Sequence, residues 1–380
     1  MRLNVPLSHQ PASEELEHCL RAILPLCRRA RISRLGDLTG LDRIGLPVIQ
    51  AVRPAALSEV TSLGRGFSKA QATVGAVMEA LERYYAESIP AERIFPATAD
   101  ELEIADGLFE NLLVPERREG WRRKRIPWIA GLDVASGDMH PVPLELVHTR
   151  YTDPPPAGDG LFLRTTTGLA CHTSASGAFA HGLLECIERD AIARAFATHG
   201  FFDRMRIATS ALGDRPDYIL SVAGACGISF ALWLAPSPAS IPVVWCQTIE
   251  AGRGEPILAL PTEGYAAGQS VEAAAASAML EALAARAGAI SGARDDQTRE
   301  HYRRSTGTVV AKARALILDD AASTRTAPPL VVPDLRSLMD QVITAGLGPI
   351  LAVPVGADDE AGVHCVRTVL PRALSFFLLR

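Results

Sequence analysis

The stretches AQATVGAVMEALERYY (residues 70–85) and SGAFAHGLLECIERDAIARAF (residues 176–196) decide the fold of this chain. Both carry small and apolar residues on every side at helical spacing, which is typical of a helix buried inside a protein. A third stretch, VEAAAASAMLEALAAR (residues 271–286), has the same character. The sequence therefore predicts three buried helices, spread along a chain of 380 residues.

Each of the first two helices contains the pattern E-x-x-E-R, and the third carries a glutamate at its centre. The acids concerned are Glu79, Glu82, Glu185, Glu188 and Glu281. Glutamates three residues apart share a helix face and repel each other, and an unpaired buried carboxylate is costly. The local arginines are too few to neutralise five acids, whereas Mg²⁺ bridges carboxylates to phosphates. The residues alone predict a Mg²⁺–polyphosphate site, with a solvated acidic face as the alternative for any single helix.

Other catalytic signatures are absent from the sequence. There is no G-x-x-x-x-G-K-[ST], G-x-S-x-G or H-E-x-x-H motif, which removes support for P-loop, serine-hydrolase and zincin chemistry. His181 lies four residues before Glu185 and could share its metal, but packing is the commoner role of a helical histidine. Cys171 and Cys186 have no neighbouring base, so we expect both to pack in the core.

The composition is that of a globular protein, with 48% hydrophobic residues, 21% charged residues and a net charge of −5. This charge provides no basic field for nucleic acid, and no uncharged apolar run reaches the roughly 18 residues of a membrane span. Seven scattered cysteines without a C-x-x-C pair, and the lack of a signal peptide, favour a reducing compartment. We therefore expect a cytoplasmic protein that binds neither nucleic acid nor membranes.

The order of elements predicts an α/β chain of the α+β kind, with largely antiparallel sheets, because the helices are too unevenly spaced for regular β-α-β units. A glycine turn at Leu63–Gly66 precedes the first E-x-x-E-R helix, and another precedes the second. This repetition predicts two pseudo-equivalent halves around the site. The proline-rich stretch Asp153–Gly158 is the candidate for a subdomain boundary, near residues 153–160.

At these residues the sequence resembles the YcaO family of ATP-dependent enzymes that modify the peptide backbone. Five blocks carry the resemblance in order: TGLDRIGLPVIQAVRP (39–54), SLGRGFSKAQATVGAVMEALERYYAE (62–87), TTGLACHTSASGAFAHGLLECIERDA (166–191), SAMLEALAARAGAISGARDD (277–296) and VHCVRTVLPRAL (363–374). The resemblance implies a YcaO-type fold, with an N-terminal helix and strand region at residues 1–60 and one catalytic unit at residues 61–380. It also implies a homodimer.

The resemblance implies ATP and Mg²⁺ as cofactors and assigns residues to them. In the family, glutamates of the three helices bind the ATP phosphates through Mg²⁺, which corresponds here to all five glutamates named above. Arg189 corresponds to a residue near the phosphates. Arg65 stands where the family usually has lysine. The planar guanidinium group of arginine therefore replaces the compact ammonium group of lysine, and the positive charge is kept.

The chemistry that the resemblance implies is activation of a backbone amide by ATP, after a nucleophile has added to its carbon. The chain resembles stand-alone members, without a fused leader-binding domain or proline-rich tail, that form thioamides with a TfuA-like partner. We therefore expect TfuA-assisted thioamide formation on a ribosomally synthesised peptide or protein, with azoline formation by a cyclodehydratase as the alternative.

Two departures from the family pattern keep other functions open. The stretch Ala266–Ser270 replaces a common Gly-Ala-His-x-Asp, and Ala284 replaces a glutamine. Both changes favour a non-catalytic accessory protein, such as an accessory factor of ribosomal-protein methylthiolation. A generic metal-dependent phosphohydrolase would use the same acids, but would turn over ATP without a peptide.

Overall fold

The computed structural model describes residues 12–251, 256–292, 308–319 and 325–376, so residues 1–11 of the predicted N-terminal region and residues 293–296 of the third block lie outside the described part. Its helices are α1 (Ser13–Arg29), α2 (Lys69–Glu87), α3 (Ala175–Ala197), α4 (Phe201–Arg204), α5 (Asp214–Ala225), α6 (Val271–Ser291), α7 (Thr308–Leu318) and α8 (Leu335–Thr344). Its strands are β1 (Arg34–Asp37), β2 (Val48–Val52), β3 (Thr61–Arg65), β4 (Ile94–Ala97), β5 (Ile126–Asp133), β6 (Met139–Pro143), β7 (Leu169–His172), β8 (Arg206–Ile207), β9 (Ile228–Leu234), β10 (Val243–Glu250), β11 (Thr262–Ala267), β12 (Leu351–Asp358) and β13 (Val363–Val369). The three helices that the sequence predicts as buried are α2, α3 and α6.

The strands form three sheets, and every pairing between them is antiparallel. One sheet has the order β1-β2-β3, the second β11-β10-β9-β8, and the third β4-β5-β12-β13-β7 with β6 against β5. The prediction of a mixed chain with largely antiparallel sheets is therefore confirmed. The strands β3, β7 and β11 each lie at an edge of their sheet.

Three strand–helix units of the same design surround one centre: β3 with α2, β7 with α3, and β11 with α6. Each helix begins after a serine, Ser68, Ser174 or Ser270, whose hydroxyl accepts a hydrogen bond of 3.1–3.2 Å from the amide three residues later. Each helix packs on its own strand and also reaches the strand of the next unit, α2 on β7, α3 on β11 and α6 on β3. The two halves predicted from the sequence are the first two units of this closed ring of three.

The glycine turn predicted at Leu63–Gly66 is wrong, because Gly64 lies inside strand β3. Helix α2 packs so closely on this strand that a β-carbon on Gly64 would lie 1.8 Å from the carbonyl oxygen of Ala72. Gly264 of β11 has the same relation to α6, with a β-carbon 2.1 Å from the carbonyl oxygen of Ala278. The glycines are therefore needed for close approach of strand and helix rather than for a turn.

Helix α6 is, by length and composition, apolar enough to cross a membrane, and 72% of its apolar window is buried inside the structure. Its alanine and leucine side chains pack against β9, β10 and α5 in a single apolar cluster. That is the environment of a core helix in a globular fold.

The predicted boundaries of regions within the chain stay predictions. Strands β1 and β2 of the N-terminal region share a sheet with β3, which begins at Thr61. Residues 153–160 form a loop between β6 and β7.

Candidate active site

The three helices bring the five predicted glutamates to the centre of the ring. Glu79, Glu185 and Glu281 each lie eleven residues after the capping serine of their helix. Glu82 and Glu188 lie fourteen residues after it, and Ala284 occupies that position in α6. The acids are close enough to act on one another electrostatically, Glu82 with Glu79 and Glu185, and Glu281 with Glu185 and Glu188.

Backbone amides of the strands orient three of these carboxylates. Glu79 accepts a hydrogen bond of 3.2 Å from Leu63 in β3, and Glu82 accepts one of 2.9 Å from Cys171 in β7. Glu185 accepts one of 3.0 Å from Gly168, which precedes β7. Leu63 and Cys171 belong to edge strands, whose outward amides have no strand partner. The edges of the sheets therefore position the acids.

The environment opposes ionisation of these acids. Burial raises the pKa of Glu79 and Glu185, and it raises the pKa of Glu82 well above its ordinary value, where Glu79 and Glu185 add repulsion. The pKa of Glu188 rises to about 8, because burial and the charges of Glu281 and Glu185 outweigh the attraction of Arg189. A bound cation would remove this penalty.

Three guanidinium groups neutralise part of the cluster. Arg65 donates to Glu281 at 2.7 Å, which places the predicted residue in the site. Arg189 lies 3.3 Å from an oxygen of Glu188 and 3.8 Å from Glu185. The third is Arg83, which bridges Glu79 and Glu59 at 3.2 and 2.7 Å. Among the described residues these cations form ion pairs with Glu281, Glu79, Glu185 and Glu188, whereas Glu82 has none, in line with its strongly raised pKa.

The donor set fits a nucleotide-bound Mg²⁺. No three acidic, histidine or cysteine side chains of the described residues come together closely enough to hold one ion by themselves. Mg²⁺ usually takes one or two protein carboxylates and fills its other positions with water and substrate phosphates. Carboxylates whose ionisation is favoured by a bound cation, beside Arg65 and Arg189, therefore suit a metal that arrives with a polyphosphate.

A contact that the sequence does not reveal positions Arg189. Its guanidinium lies 5.6 Å from the centre of the Tyr265 ring. The Tyr265 hydroxyl donates to Glu263 at 2.5 Å, and Glu263 also accepts from Gln247 at 2.6 Å. These residues lie on β10 and β11. Because β11 was not predicted as a strand, no sequence signal placed Tyr265 or Glu263 next to α3.

The other residues considered from the sequence lie around the cluster. His181 lies on α3 one turn before Glu185, with its side chain exposed. Cys171 and Cys186 are buried, and burial raises the pKa of both thiols, that of Cys186 to about 12. Neutral buried thiols are poor nucleophiles, which agrees with the expectation that both pack in the core.

The sequence matches that of known proteins over most of its length. Residues 63–374 match the YcaO cyclodehydratase family, which is described as binding ATP and Mg²⁺. An uncharacterised protein of Methanothermobacter thermautotrophicus is 31% identical over 281 residues, which cover 73% of this chain and 70% of that protein. An uncharacterised protein of Rhizobium leguminosarum bv. trifolii, described as lying in the tfuA 3′ region, is 27% identical over 92% of this chain and 85% of its own length.

A solved structure has the same fold. YcaO from Methanopyrus kandleri, bound with AMPPCP and Mg²⁺, superposes with a TM-score of 0.67 over 95% of this chain and 90% of that one, at 23% sequence identity. The match of residues 63–374 covers far more than half of the chain, and the donor set of the ring fits the cofactors of the matched family. The chain therefore belongs to the YcaO family, whose members bind ATP and Mg²⁺.

Proposed function

We propose that this protein activates a backbone amide of a peptide or protein with Mg²⁺-ATP and, with a TfuA-like partner, converts that amide to a thioamide. The ATP-dependent cyclodehydratase-type family gives the general class of reaction. The observation that carries the proposal is the ring of five carboxylates, several with raised pKa, facing Arg65 and Arg189.

The protein's own residues bind and orient the reactants. Glu79, Glu82, Glu185, Glu188 and Glu281 would hold Mg²⁺, and with it the phosphates. Arg189, fixed on the Tyr265 ring, would hold the phosphate charge opposite the acids. Bound ATP supplies the phosphoryl group that turns the amide oxygen into a leaving group. Positioning and charge neutralisation are the usual contributions of a protein to phosphoryl transfer.

The sulfur would come from outside the protein. The two thiols nearest the carboxylates, Cys171 and Cys186, are buried and held neutral. A thioamide requires a sulfur nucleophile that adds to the amide carbon, so an external sulfide donor fits this site. The Rhizobium relative, described by its place in the tfuA 3′ region, supports the choice of a TfuA-like partner.

Azoline formation is the second candidate, and the description of the matched family as cyclodehydratases favours it. In that reaction a cysteine, serine or threonine of the substrate supplies the nucleophile, and the product loses water. In thioamide formation sulfur replaces oxygen, and the mass rises. Mass spectrometry of a modified peptide therefore separates the two.

The first test is calorimetric titration of ATP with and without Mg²⁺ on the wild-type protein and on Glu185→Gln. We expect Mg²⁺-dependent binding by the wild type and at least about a tenfold weaker affinity in the variant, because a ligand charge is lost. Glu17→Gln on the exposed face of α1 is the matched control and should bind like the wild type.

If Glu185→Gln and the wild type bind Mg²⁺-ATP with equal affinity, the carboxylate ring does not bind the nucleotide. Absence of ATP binding in the wild type would favour an accessory protein, in line with Ala284 and the Ala266–Ser270 stretch. Hydrolysis of unrelated phosphate esters without peptide would instead favour a phosphohydrolase.

A further inference from the structure

A small cavity lies beside α3, where Arg189 borders both the cavity and the carboxylate ring. It encloses about 40 Å³ between β13, the residues before β7, and the segment after β13. Its apolar wall includes Leu112, Leu163 and Phe376. Two cations line it, Arg189 and Arg367, and no carboxylate among the described residues does. The cavity therefore has two cations and no acid among its described lining residues, unlike the neighbouring ring.

Arg367 is the unusual residue of this cavity. It lies in β13 with only 3% of its surface exposed. One nitrogen donates to the carbonyl oxygen of Thr165 at 2.8 Å. Its Nε and its other terminal nitrogen are buried and, within the described ranges, have no hydrogen-bond partner. Three further donor hydrogens of this guanidinium are thus left without an acceptor.

The residues around Arg367 do not give its buried guanidinium a structural partner. No carboxylate of the described residues lies within ion-pair distance of Arg367; Glu185 acts on it electrostatically from further away. A buried charge without a partner costs stability, and native proteins satisfy nearly all buried donors. A group that this structure does not contain is the simplest acceptor.

Size and charge select the kind of acceptor. A water molecule needs roughly 10–15 Å³ of such space, so the interior of the cavity has room for a group of a few heavy atoms. A guanidinium fork matches phosphate oxygens, and Thr165, Thr167 and Thr368 are among the residues that line the same cavity. Arg189 connects it with Glu185 and Glu188 on α3.

We propose that this cavity is an anion subsite in which Arg367 binds a phosphate-sized dianion, separate from the carboxylate ring that holds Mg²⁺-ATP. In the function proposed above, on which this assignment of the occupant rests, the anion is the phosphoryl group on the amide oxygen or the phosphate that leaves it. Arg189 lies between the ring and the cavity, so the transferred group would pass from one guanidinium to the next.

The test measures binding of inorganic phosphate, without metal or nucleotide, by ³¹P NMR titration and thermal unfolding. Arg65 and Arg189 of the ring also attract an anion, so the loss of binding in Arg367→Gln, and not binding itself, reports on the cavity. We expect wild-type protein to bind phosphate and Arg367→Gln to bind it at least about tenfold more weakly, since charge-assisted hydrogen bonds are lost. Arg372→Gln, an exposed arginine five residues further on, is the matched control and should bind like the wild type.

Stability distinguishes this role from a structural one. Without phosphate, Arg367→Gln should unfold at the same temperature as wild type or higher, because a buried charge with free donors has been removed. A clear loss of stability together with unchanged phosphate affinity would make Arg367 a structural cation and overturn the proposal. So would a wild-type protein that binds no phosphate. Arg367→Lys, which keeps the charge but not the fork, should bind phosphate with intermediate affinity.

Two further measurements locate the occupant and separate this proposal from the proposed function. Methyl phosphate represents a phosphoryl group still joined to carbon; binding at least as tight as that of phosphate supports the attached group, and weaker binding supports the released phosphate. Glu185→Gln should keep phosphate binding while it loses Mg²⁺-ATP. If ATP binding proves absent but Arg367 still binds phosphate, the proposed function fails and the anion subsite stands.

Discussion

Helices α2 and α6 have the same construction and a different charge. Both follow a capping serine, both pack on an edge strand through a glycine, Gly64 or Gly264, and both carry a glutamate eleven residues after the cap. One turn later α2 has Glu82, whereas α6 has Ala284 in an apolar cluster with Leu38 and Val48. The packing of the unit is repeated, and its charges are not.

The difference separates residues that build the ring from residues that bind a ligand. Gly64 and Gly264 recur because strand and helix approach closely in these two units, and the serine recurs because it caps each helix. The second glutamate occurs only in α2 and α3, and on the α6 side Arg65 neutralises Glu281 at 2.7 Å. The α2–α3 side of the ring therefore carries four of the five acids, and the α6 side carries one that is paired. Changes of the shared packing should affect stability at every pH, whereas changes of the acids should affect ligand binding and the pH dependence of stability.

The largest effect is expected when the shared packing is broken. Gly64→Ala puts a β-carbon 1.8 Å from Ala72 O, and Gly264→Ala puts one 2.1 Å from Ala278 O. Neither backbone oxygen can move without shifting its helix. We expect each variant to lower the free energy of unfolding by about 3 kcal/mol or more, as in severe overpacking, measured by urea denaturation.

Gly224→Ala is the matched control for both variants. A β-carbon there meets nothing within 4 Å, and Gly224 lies in helix α5, where alanine is favoured by up to about 1 kcal/mol. We expect its free energy of unfolding to stay equal or rise. A small effect of Gly64→Ala with a large effect of Gly264→Ala would show that the two units are not equivalent in packing.

The second prediction concerns Glu188, whose counterpart in α6 is Ala284. Its expected effect on the free energy of unfolding is smaller. The pKa of Glu188 is about 8 in the folded protein, against 4.5 for an ordinary glutamate. Between these values the folded state binds a proton that the unfolded state does not, so the free energy of unfolding of metal-free protein should fall as pH rises from about 5 to 8. One such group contributes at most about 1.4 kcal/mol per pH unit.

Glu188→Gln should therefore flatten this pH dependence, measured as the free energy of unfolding at several pH values in the presence of a chelator. Some slope should remain, because the pKa values of Glu82 and Glu185 are raised as well. Glu17→Gln should leave the profile unchanged. A Glu188→Gln profile as steep as that of the wild type would contradict the raised pKa.

The sequence was sufficient to predict the helices of the ring but not the strands. The stretch 70–85 predicts helix α2, which the structure places at Lys69–Glu87, because its apolar face follows helical spacing. Strand β3 (TSLGR) is short and contains glycine, as is typical of a turn, and β11 was not predicted. What makes them strands is the close packing of a helix from the same unit, which local sequence does not record.

The same limit applies to the site. All five glutamates, Arg65 and Arg189 were identified from pattern and resemblance, because charges inside apolar helices are conspicuous. The sequence predicts neither Tyr265 beside Arg189 nor Arg367 in the neighbouring cavity, since both lie on strands whose neighbours are fixed by tertiary structure. A signal for Arg367 existed: it is a charged residue within the apolar run VHCVRTV of β13.

The smallest effect is expected at the ion pair that distinguishes the α6 side of the ring. Arg65 and Glu281 keep 33% and 27% of their side-chain surface exposed, and pairs of this kind contribute at most about 1 kcal/mol. Arg65→Lys preserves the charge and should change the free energy of unfolding by less than about 0.5 kcal/mol, with a small change in Mg²⁺-ATP affinity measured by calorimetry. Arg65→Gln should be as stable but bind Mg²⁺-ATP more weakly than Arg65→Lys, because the phosphates lose a cation. Equal affinity of the two variants would mean that Arg65 serves only to neutralise Glu281, and that the phosphates lie on the α2–α3 side of the ring.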